Sequence, residues 1–264
     1  MLYRTLKLSL VLASTAVGVL VTSPVIAQEA LSQVQFNPEP GASVGFMPTD
    51  RRMPVRTASG GRRGACASAE STVVPLLPRN GGALSATDTP SFWVYVPADV
   101  KGTAHFRLTD EHQEDFAYQS ITLPEAGGLV KVQLPQDSDP LAAGKTYQWF
   151  FSVDCAATEE VGDPFAGLDE SERSQETFVT GWVRYQPLTT AQQTELTQQS
   201  SLEQAIAFAQ LGYWHDSLDR VAQLQQSAAS ENTRAAWDGL LNSAGLVVQA
   251  DGSIAVRDEL ISQR

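Results

Sequence analysis

The sequence has little of what recognisable catalytic and metal sites are made from. Its 264 residues include only two cysteines and three histidines. It has no Gly-x-Ser-x-Gly or His-Glu-x-x-His motif, no glycine-rich phosphate loop and no clustered cysteine or histidine ligands. The sequence therefore predicts no catalytic residue and no cofactor, and it leans away from an enzyme.

Basic residues are also scarce, with 18 Lys and Arg against 30 Asp and Glu and a net charge of −12. An acidic chain repels phosphate backbones and anionic lipid surfaces. We therefore expect no nucleic-acid partner and no binding to membrane surfaces.

Long apolar runs are limited to one stretch, Leu8–Thr22, which follows two basic residues and carries no charge. It is about fifteen residues long, whereas a helix needs roughly twenty to span a bilayer. Small residues precede Gln28, so residues 1–27 are typical of a signal peptide cleaved between Ala27 and Gln28. We expect a mature chain in the periplasm or outside the cell, with no stable membrane insertion.

The two cysteines, Cys66 and Cys155, both lie in the part expected to be exported. In an oxidising compartment, a disulfide between them would close a loop of nearly ninety residues. The chain-entropy argument gives such a bridge a stabilising effect of about 4 to 5 kcal/mol. A redox pair and two buried free thiols are the alternatives, although redox pairs are usually close in sequence.

Residues 28–64 are rich in Pro, Gly and Arg and predict a flexible linker. Five arginines and no acid occur between Arg51 and Arg63. They indicate either a solvated linker, which we favour, or a basic arm that touches an anionic partner or the acidic body of the protein.

Residues 65–187 show the two-residue period of β-strands. In the strand predicted from Thr146, one face carries Tyr147, Trp149, Phe151, Val153 and Cys155. Six or seven short strands separated by turns predict an immunoglobulin-like β-sandwich. Its tryptophans lie within apolar strands, so we expect them in the core rather than on a sugar-binding surface.

Residues 188–264 show helical periodicity and predict a helical C-terminal segment. Asn232 is the expected N-cap of the last helix and Gly245 its expected end. The segment Gly212–Leu218 is similar to the turn of a tetratricopeptide repeat, but only about one and a half repeats are present. Such a segment must pack on the sandwich or on a partner. The predicted apolar stripes are Leu202, Ala205, Ile206 and Ala209; Trp214, Leu218, Val221 and Ala222; and Trp237, Leu240, Leu241 and Ala244.

Five sequence blocks occur together in order: Gly61–Gly64 before the first cysteine, Thr89–Pro97, Gly144–Cys155, Gly181–Val183 and Gly212–Leu218. On these blocks the chain resembles the domain-of-unknown-function 928 family, which occurs chiefly in cyanobacteria. The resemblance spans about residues 60 to 245 and implies an exported protein. It supplies no catalytic residues.

Two acidic segments are secondary candidates for binding a hard cation such as calcium. Asp110 and Glu111 lie in a predicted turn, and Asp163 and Asp169 lie in an acidic loop after the second cysteine. Calcium needs several oxygens that converge, whereas a hairpin turn splays its side chains into solvent. We therefore favour no metal at either place.

The combination of a strong core pattern and no reactive motif favours a non-enzymatic envelope scaffold or protein-binding module. One alternative is a carbohydrate-binding or adhesion module of the cell envelope. Another is a hydrolase with an unrecognised site that uses His105, His112 or His215. The expected partners are envelope proteins or glycans.

Overall fold

The computed structural model describes residues 44–48, 72–154 and 176–257. All of them belong to one compact unit, Asn37–Arg264. Within these ranges the protein is mainly β, with four helices in its C-terminal part. No helix in these ranges is long and apolar enough to cross a membrane.

The described ranges contain three sheets, and we call the two larger ones, formed by β1 to β8, the β-part. The smaller sheet has the order β1-β3-β6, and the larger has the order β2-β8-β7-β4-β5. Strand β2 is parallel to β8, and the other neighbours are antiparallel. The strands are β1 Val74–Pro75, β2 Gly82–Ser85, β3 Ser91–Val96, β4 Thr103–Thr109, β5 Asp115–Thr122, β6 Gly128–Gln133, β7 Thr146–Asp154 and β8 Glu176–Tyr185.

The core lies between the inner faces of these sheets. Alternate residues of β4 and β7 are buried, as their two-residue period predicts. The ring of Phe92 on β3 lies 4.9 Å from that of Phe106 on β4 and 5.6 Å from that of Trp149 on β7. The two sheets therefore pack face to face through aromatic contacts, which confirms the predicted β-rich core.

The helices are α1 Thr190–Thr197, α2 Ser201–Gln210, α3 Trp214–Ser227 and α4 Glu231–Ser243. The predicted N-cap Asn232 is wrong, because Ser230 caps α4. The Ser230 hydroxyl accepts a hydrogen bond from the Thr233 amide, and the Thr233 hydroxyl accepts one from the Ser230 amide. The predicted end is confirmed, since Gly245 follows the helix with a φ of +80° that favours glycine.

The predicted apolar stripes are buried in the contacts of the helical layer, except that Leu202 is only half-buried. Where α2 and α3 cross, the small side chain of Ser217 donates a hydrogen bond to the Ala205 carbonyl at 2.8 Å. After α4 comes a hairpin that we did not predict, formed by β9 (Leu246–Val248) and β10 (Ile254–Val256). Each of its strands is three residues long, which is too short to show a period.

Residues 44–48 lie against the helical layer and differ from the flexible linker predicted over 28–64. Val44 is only 1% exposed, and the ring of Phe46 meets the Trp214 ring edge-on at 5.1 Å. The Met47 amide donates to the Ala209 carbonyl at 3.1 Å. Two apolar anchors, two residues apart, are enough to bind this piece of chain, although the composition around them is that of a linker.

Candidate functional site

Helix α3 begins on the β-part of the molecule. Trp214, its first residue, is completely buried, and its indole Nε1–H donates to the Leu76 carbonyl at 2.8 Å. Gly212 lies in the turn that leads into α3 and has a φ of +84°, which residues other than glycine rarely adopt. This turn and the indole bond together set the first turn of α3 against the sheets.

His215 follows and is only 3% exposed. Its Nδ1 lies 3.2 Å from the Ser91 carbonyl oxygen, and its ring packs edge-on against Phe92 at 5.3 Å. A carbonyl oxygen only accepts, so Nδ1 carries the hydrogen and Nε2 keeps a lone pair. Among the described residues, that buried Nε2 has no hydrogen-bond partner. Burial lowers the pKa of His215 from 6.5 to about 4, so the ring is neutral at pH 7.

Asp216 links α3 to the turn between β2 and β3. Its Oδ2 accepts a hydrogen bond from the Ala86 amide at 2.8 Å. Burial raises the pKa of Asp216 to about 7, against the opposing effects of that hydrogen bond and of the Arg220 charge. The carboxyl group therefore keeps its proton at pH values where an ordinary aspartate is already charged.

Asp219, one turn further along α3, has partners at both of its carboxylate oxygens. Its Oδ1 accepts from the Trp93 indole at 3.2 Å and pairs with the Lys131 ammonium at 2.7 Å. Its Oδ2 accepts from the Gln223 side chain at 2.6 Å. The charge of Asp219 is therefore balanced by a residue of β6.

A cavity of about 330 Å³ opens where α3 meets the strand ends, and we call it the junction cavity. Its lining residues are His215, Asp216, Asp219, Arg220 and Gln223 of α3 and Thr87, Thr89, Ser91 and Gln133 of the β-part. Every lining residue is polar or charged. Its volume is at the lower end of the range of small-molecule sites, about 300 to 1,000 Å³. The arrangement can bind a small polar group through many hydrogen bonds.

Of the acidic candidates for a metal site, Asp110 and Glu111 lie in the described ranges. Asp110 Oδ1 accepts hydrogen bonds from the His112 and Glu114 amides at 2.8 and 3.0 Å, so it closes its own turn. Glu111 lies 3.9 Å from the Lys145 ammonium. Across the parts of the chain that the structure describes, no group of three or more His, Cys, Asp or Glu side chains could hold a metal ion.

Several predicted site residues lie outside the described ranges. They are Ala27 and Gln28 of the cleavage site, the two cysteines Cys66 and Cys155, and the acidic-loop residues Asp163 and Asp169.

His105 has polar neighbours on the outer face of the larger sheet. Its Nε2 lies 2.8 Å from Asp154 Oδ2, and its Nδ1 lies 3.2 Å from the Ser120 hydroxyl. The Tyr118 hydroxyl is closer to the same Nδ1, at 2.7 Å. Ser120 and Asp154 are exposed on neighbouring strands, whereas a Ser-His-Asp site places its serine beside oxyanion donors in a cleft. We interpret this group as a polar network across the strands.

The sequence pattern of the family described as Domain of Unknown Function (DUF928) matches residues 58–254. The match covers well over half of the chain, which therefore belongs to this family, as the five sequence blocks suggested. No curated protein sequence is similar enough to the chain to count as a relative.

Proposed function

We propose that this chain is an exported, non-enzymatic binding module of the cell envelope, and that the junction cavity is where it binds its ligand. The observation that carries the proposal is the cavity itself, which is closed on one side by α3 and on the other by the ends of β3 and β6. Envelope glycans and polar segments of envelope proteins are the two ligand classes that we expect.

The walls of the cavity are fixed before any ligand arrives. Buried contacts of Trp214, His215 and Asp216 hold α3 to Leu76, Ser91 and Ala86 of the β-part. A site whose walls are already ordered loses less conformational entropy when it binds. This supports binding by a preformed pocket, in which the helical segment and the sheets both take part.

The finer architecture that we propose is an immunoglobulin-like sandwich followed by a tetratricopeptide-like helix pair. The strand orders and the parallel β2-β8 edge support the first part. So does Tyr147 near the start of β7, whose hydroxyl accepts a hydrogen bond from the Ala142 amide at 3.0 Å, a form of the tyrosine corner. The small Ser217 at the crossing of α2 and α3 supports the second.

We further propose that residues 1–27 are removed as a signal peptide, that the mature chain is periplasmic or extracellular, and that Cys66 and Cys155 are bridged. Support for the bridge comes from Val153, which is fully buried on the inward face of β7. Cys155 follows two residues later, which is the spacing of side chains on one face of a strand. Mass spectrometry of the protein recovered from its host would identify an N-terminus at Gln28. A mobility shift of the mature protein on reduction would show the bridge, and an unchanged mobility would contradict it.

A cavity variant tests the binding function. Gln133→Ala combined with Gln223→Ala removes two amide side chains from the cavity lining. The matched control is Gln193→Ala, which changes an exposed glutamine of α1. Each protein is exposed to purified envelope glycans and to envelope protein fractions, with tryptophan fluorescence and pull-down as readouts.

The proposal predicts that wild type and control bind the same fraction, and that the double variant binds it at least about tenfold more weakly, since each lost hydrogen bond contributes about 1 kcal/mol. Equal binding by all three proteins would show that the cavity is not the ligand site.

A hydrolase is the second candidate, and one observation favours it. Asp216 has a pKa of about 7 and lines the junction cavity beside the neutral imidazole of His215. A general acid works best when its pKa is near the operating pH. Release of reducing ends or acyl groups from envelope fractions by wild type, and its loss in Asp216→Asn, would support this function. No release by wild type would exclude it for those substrates.

A further inference from the structure

We infer that the junction cavity recognises a neutral, hydroxyl-rich ligand, namely a single uncharged sugar residue of a glycan. This inference rests on the proposed binding function and narrows its ligand to one chemical class. The features that carry it are the charge balance, the hydrogen-bonding groups and the size of the cavity.

Both aspartates of the cavity lining already interact with a positive charge. Asp219 is matched by Lys131, with 2.7 Å between the charged atoms. Asp216 interacts with the positive charge of Arg220 on the same helix, and the Arg220 guanidinium lies 5.2 Å from the Phe208 ring. A phosphate or carboxylate ligand would approach two aspartates, and among the described residues of the lining Arg220 is the one cation that could receive it. Like charges repel, so the carboxylates of the lining disfavour an anionic ligand.

The uncharged lining groups suit hydroxyl ligands. Thr87 and Thr89 contribute hydroxyls, and Gln133 and Gln223 contribute amides. Each of these side chains can both donate and accept hydrogen bonds. A sugar hydroxyl has the same dual capacity, whereas a peptide N–H only donates and a peptide C=O only accepts.

His215 provides an independent observation that points to a ligand. It lines the cavity and keeps a buried Nε2 lone pair with no partner among the described residues. A buried polar atom that lacks a hydrogen bond is destabilising, typically by an amount comparable to the bond that is missing. An O–H donor in the cavity satisfies a neutral imidazole, whereas a carboxylate or a carbonyl, which only accepts, does not.

The size of the cavity suits one sugar residue. Its volume of about 330 Å³ is at the small end of ligand sites. A longer glycan would place one sugar in the cavity and the rest of its chain outside.

The test uses the mature protein and defined probes in the millimolar range. They are neutral hexoses and their short oligosaccharides, a uronic acid, inorganic phosphate and glycylglycine. Nitrogen-15 NMR follows the indole N–H signals of Trp93 and Trp214, because the first donates to Asp219 and the second begins α3. The test variant combines Thr89→Val with Gln223→Leu, which keeps side-chain size and removes hydrogen bonding. The matched control is Thr194→Val on the exposed face of α1.

We expect at least one neutral saccharide to shift the indole signals of wild type and control, with about tenfold weaker binding by the test variant. Saccharide binding that is unchanged in the test variant would place the sugar elsewhere and overturn the inference. Shifts caused only by phosphate, the uronic acid or glycylglycine would overturn the ligand class and leave the binding function standing. If none of these probes acts and envelope fractions do not bind either, both proposals fail.

Discussion

His215 and Asp216 are neighbours whose pKa values are shifted in opposite directions, so their effects on the pH dependence of stability oppose each other. Burial lowers the pKa of His215 from 6.5 to about 4. Between these values the unfolded chain binds a proton that the folded chain does not bind. The contribution of His215 to stability is therefore complete above pH 6.5 and is lost as the pH falls to about 4.

Asp216 affects the pH dependence of stability in the opposite direction. Burial raises its pKa from 3.8 to about 7, so between these values the folded chain holds a proton that the unfolded chain has released. Its contribution to stability is complete below pH 3.8 and is lost as the pH rises to about 7.

The two effects nearly cancel between pH 4 and 6.5. At about 1.36 kcal/mol per pH unit, His215 accounts for about 3 kcal/mol and Asp216 for at most about 4 kcal/mol. The second figure is an upper limit, because Asp216 retains partial contact with solvent. We expect these two residues together to leave the stability of the wild type nearly independent of pH in that window.

Removing either residue exposes the effect of the other. In Asp216→Asn, the free energy of unfolding should rise by about 3 kcal/mol, relative to the wild-type profile, from pH 4 to 6.5. In His215→Gln it should fall over the same range. Urea unfolding at several pH values, followed by tryptophan fluorescence, measures both slopes. His112→Gln is the control, because that histidine is exposed in a turn. Asp216→Asn and wild-type profiles that run parallel from pH 4 to 6.5 would refute this account of the pair.

Two further predictions concern packing. Gly181→Ala should destabilise the fold by about 1 to 3 kcal/mol, because the added carbon would overlap Leu77 Cδ1 and lie 2.8 Å from Cε2 of the buried Trp149 ring. Gly45→Ala, with no atom within 4 Å of its added carbon, should be neutral in the same urea unfolding assay. Ser217→Ala should cost about 1 kcal/mol, since it leaves the buried Ala205 carbonyl without its 2.8 Å hydrogen bond. A midpoint for Gly181→Ala equal to that of Gly45→Ala, or an unchanged midpoint for Ser217→Ala, would contradict the respective argument.

The strands could be predicted wherever one face of the sheet is buried and the other is not. Strand β7 alternates buried and half-buried residues along almost its whole length, and its sequence shows the same alternation. The hairpin of β9 and β10 has three residues on each side, so its sequence carries no period to detect. A strand of three residues is therefore too short to be predicted from its period.

The start of α4 shows a different limit. Asn232 and Ser230 are both residue types that cap helices well, and they lie two positions apart. What favours Ser230 is the reciprocal bond with Thr233, which forms only when the chain enters the helix at that point. The type of residue alone could not decide between them.

The junction cavity could not be predicted because its residues are far apart in sequence. Thr87 and Gln133 belong to the β-part, while Asp216, Arg220 and Gln223 belong to α3. Together with Asp219, the three α3 residues follow helical spacing. This pattern predicts the solvent-facing side of an amphipathic helix. The missing information was that this side of α3 faces the ends of the strands rather than open solvent.

This placement of polar residues links stability to binding. An apolar face on α3 would hold the helix to the sheets without desolvating two aspartates and a histidine. Replacing buried charged groups by apolar ones often stabilises proteins. The polar face brings into the cavity lining a histidine, His215, whose buried Nε2 has no hydrogen-bond partner among the described residues. A ligand that binds only the folded state at one hundred times its dissociation constant stabilises that state by about 2.7 kcal/mol. Because α3 forms one wall of the cavity and also ties the helices to the sheets, that stabilisation acts on the contacts that join these two parts of the molecule.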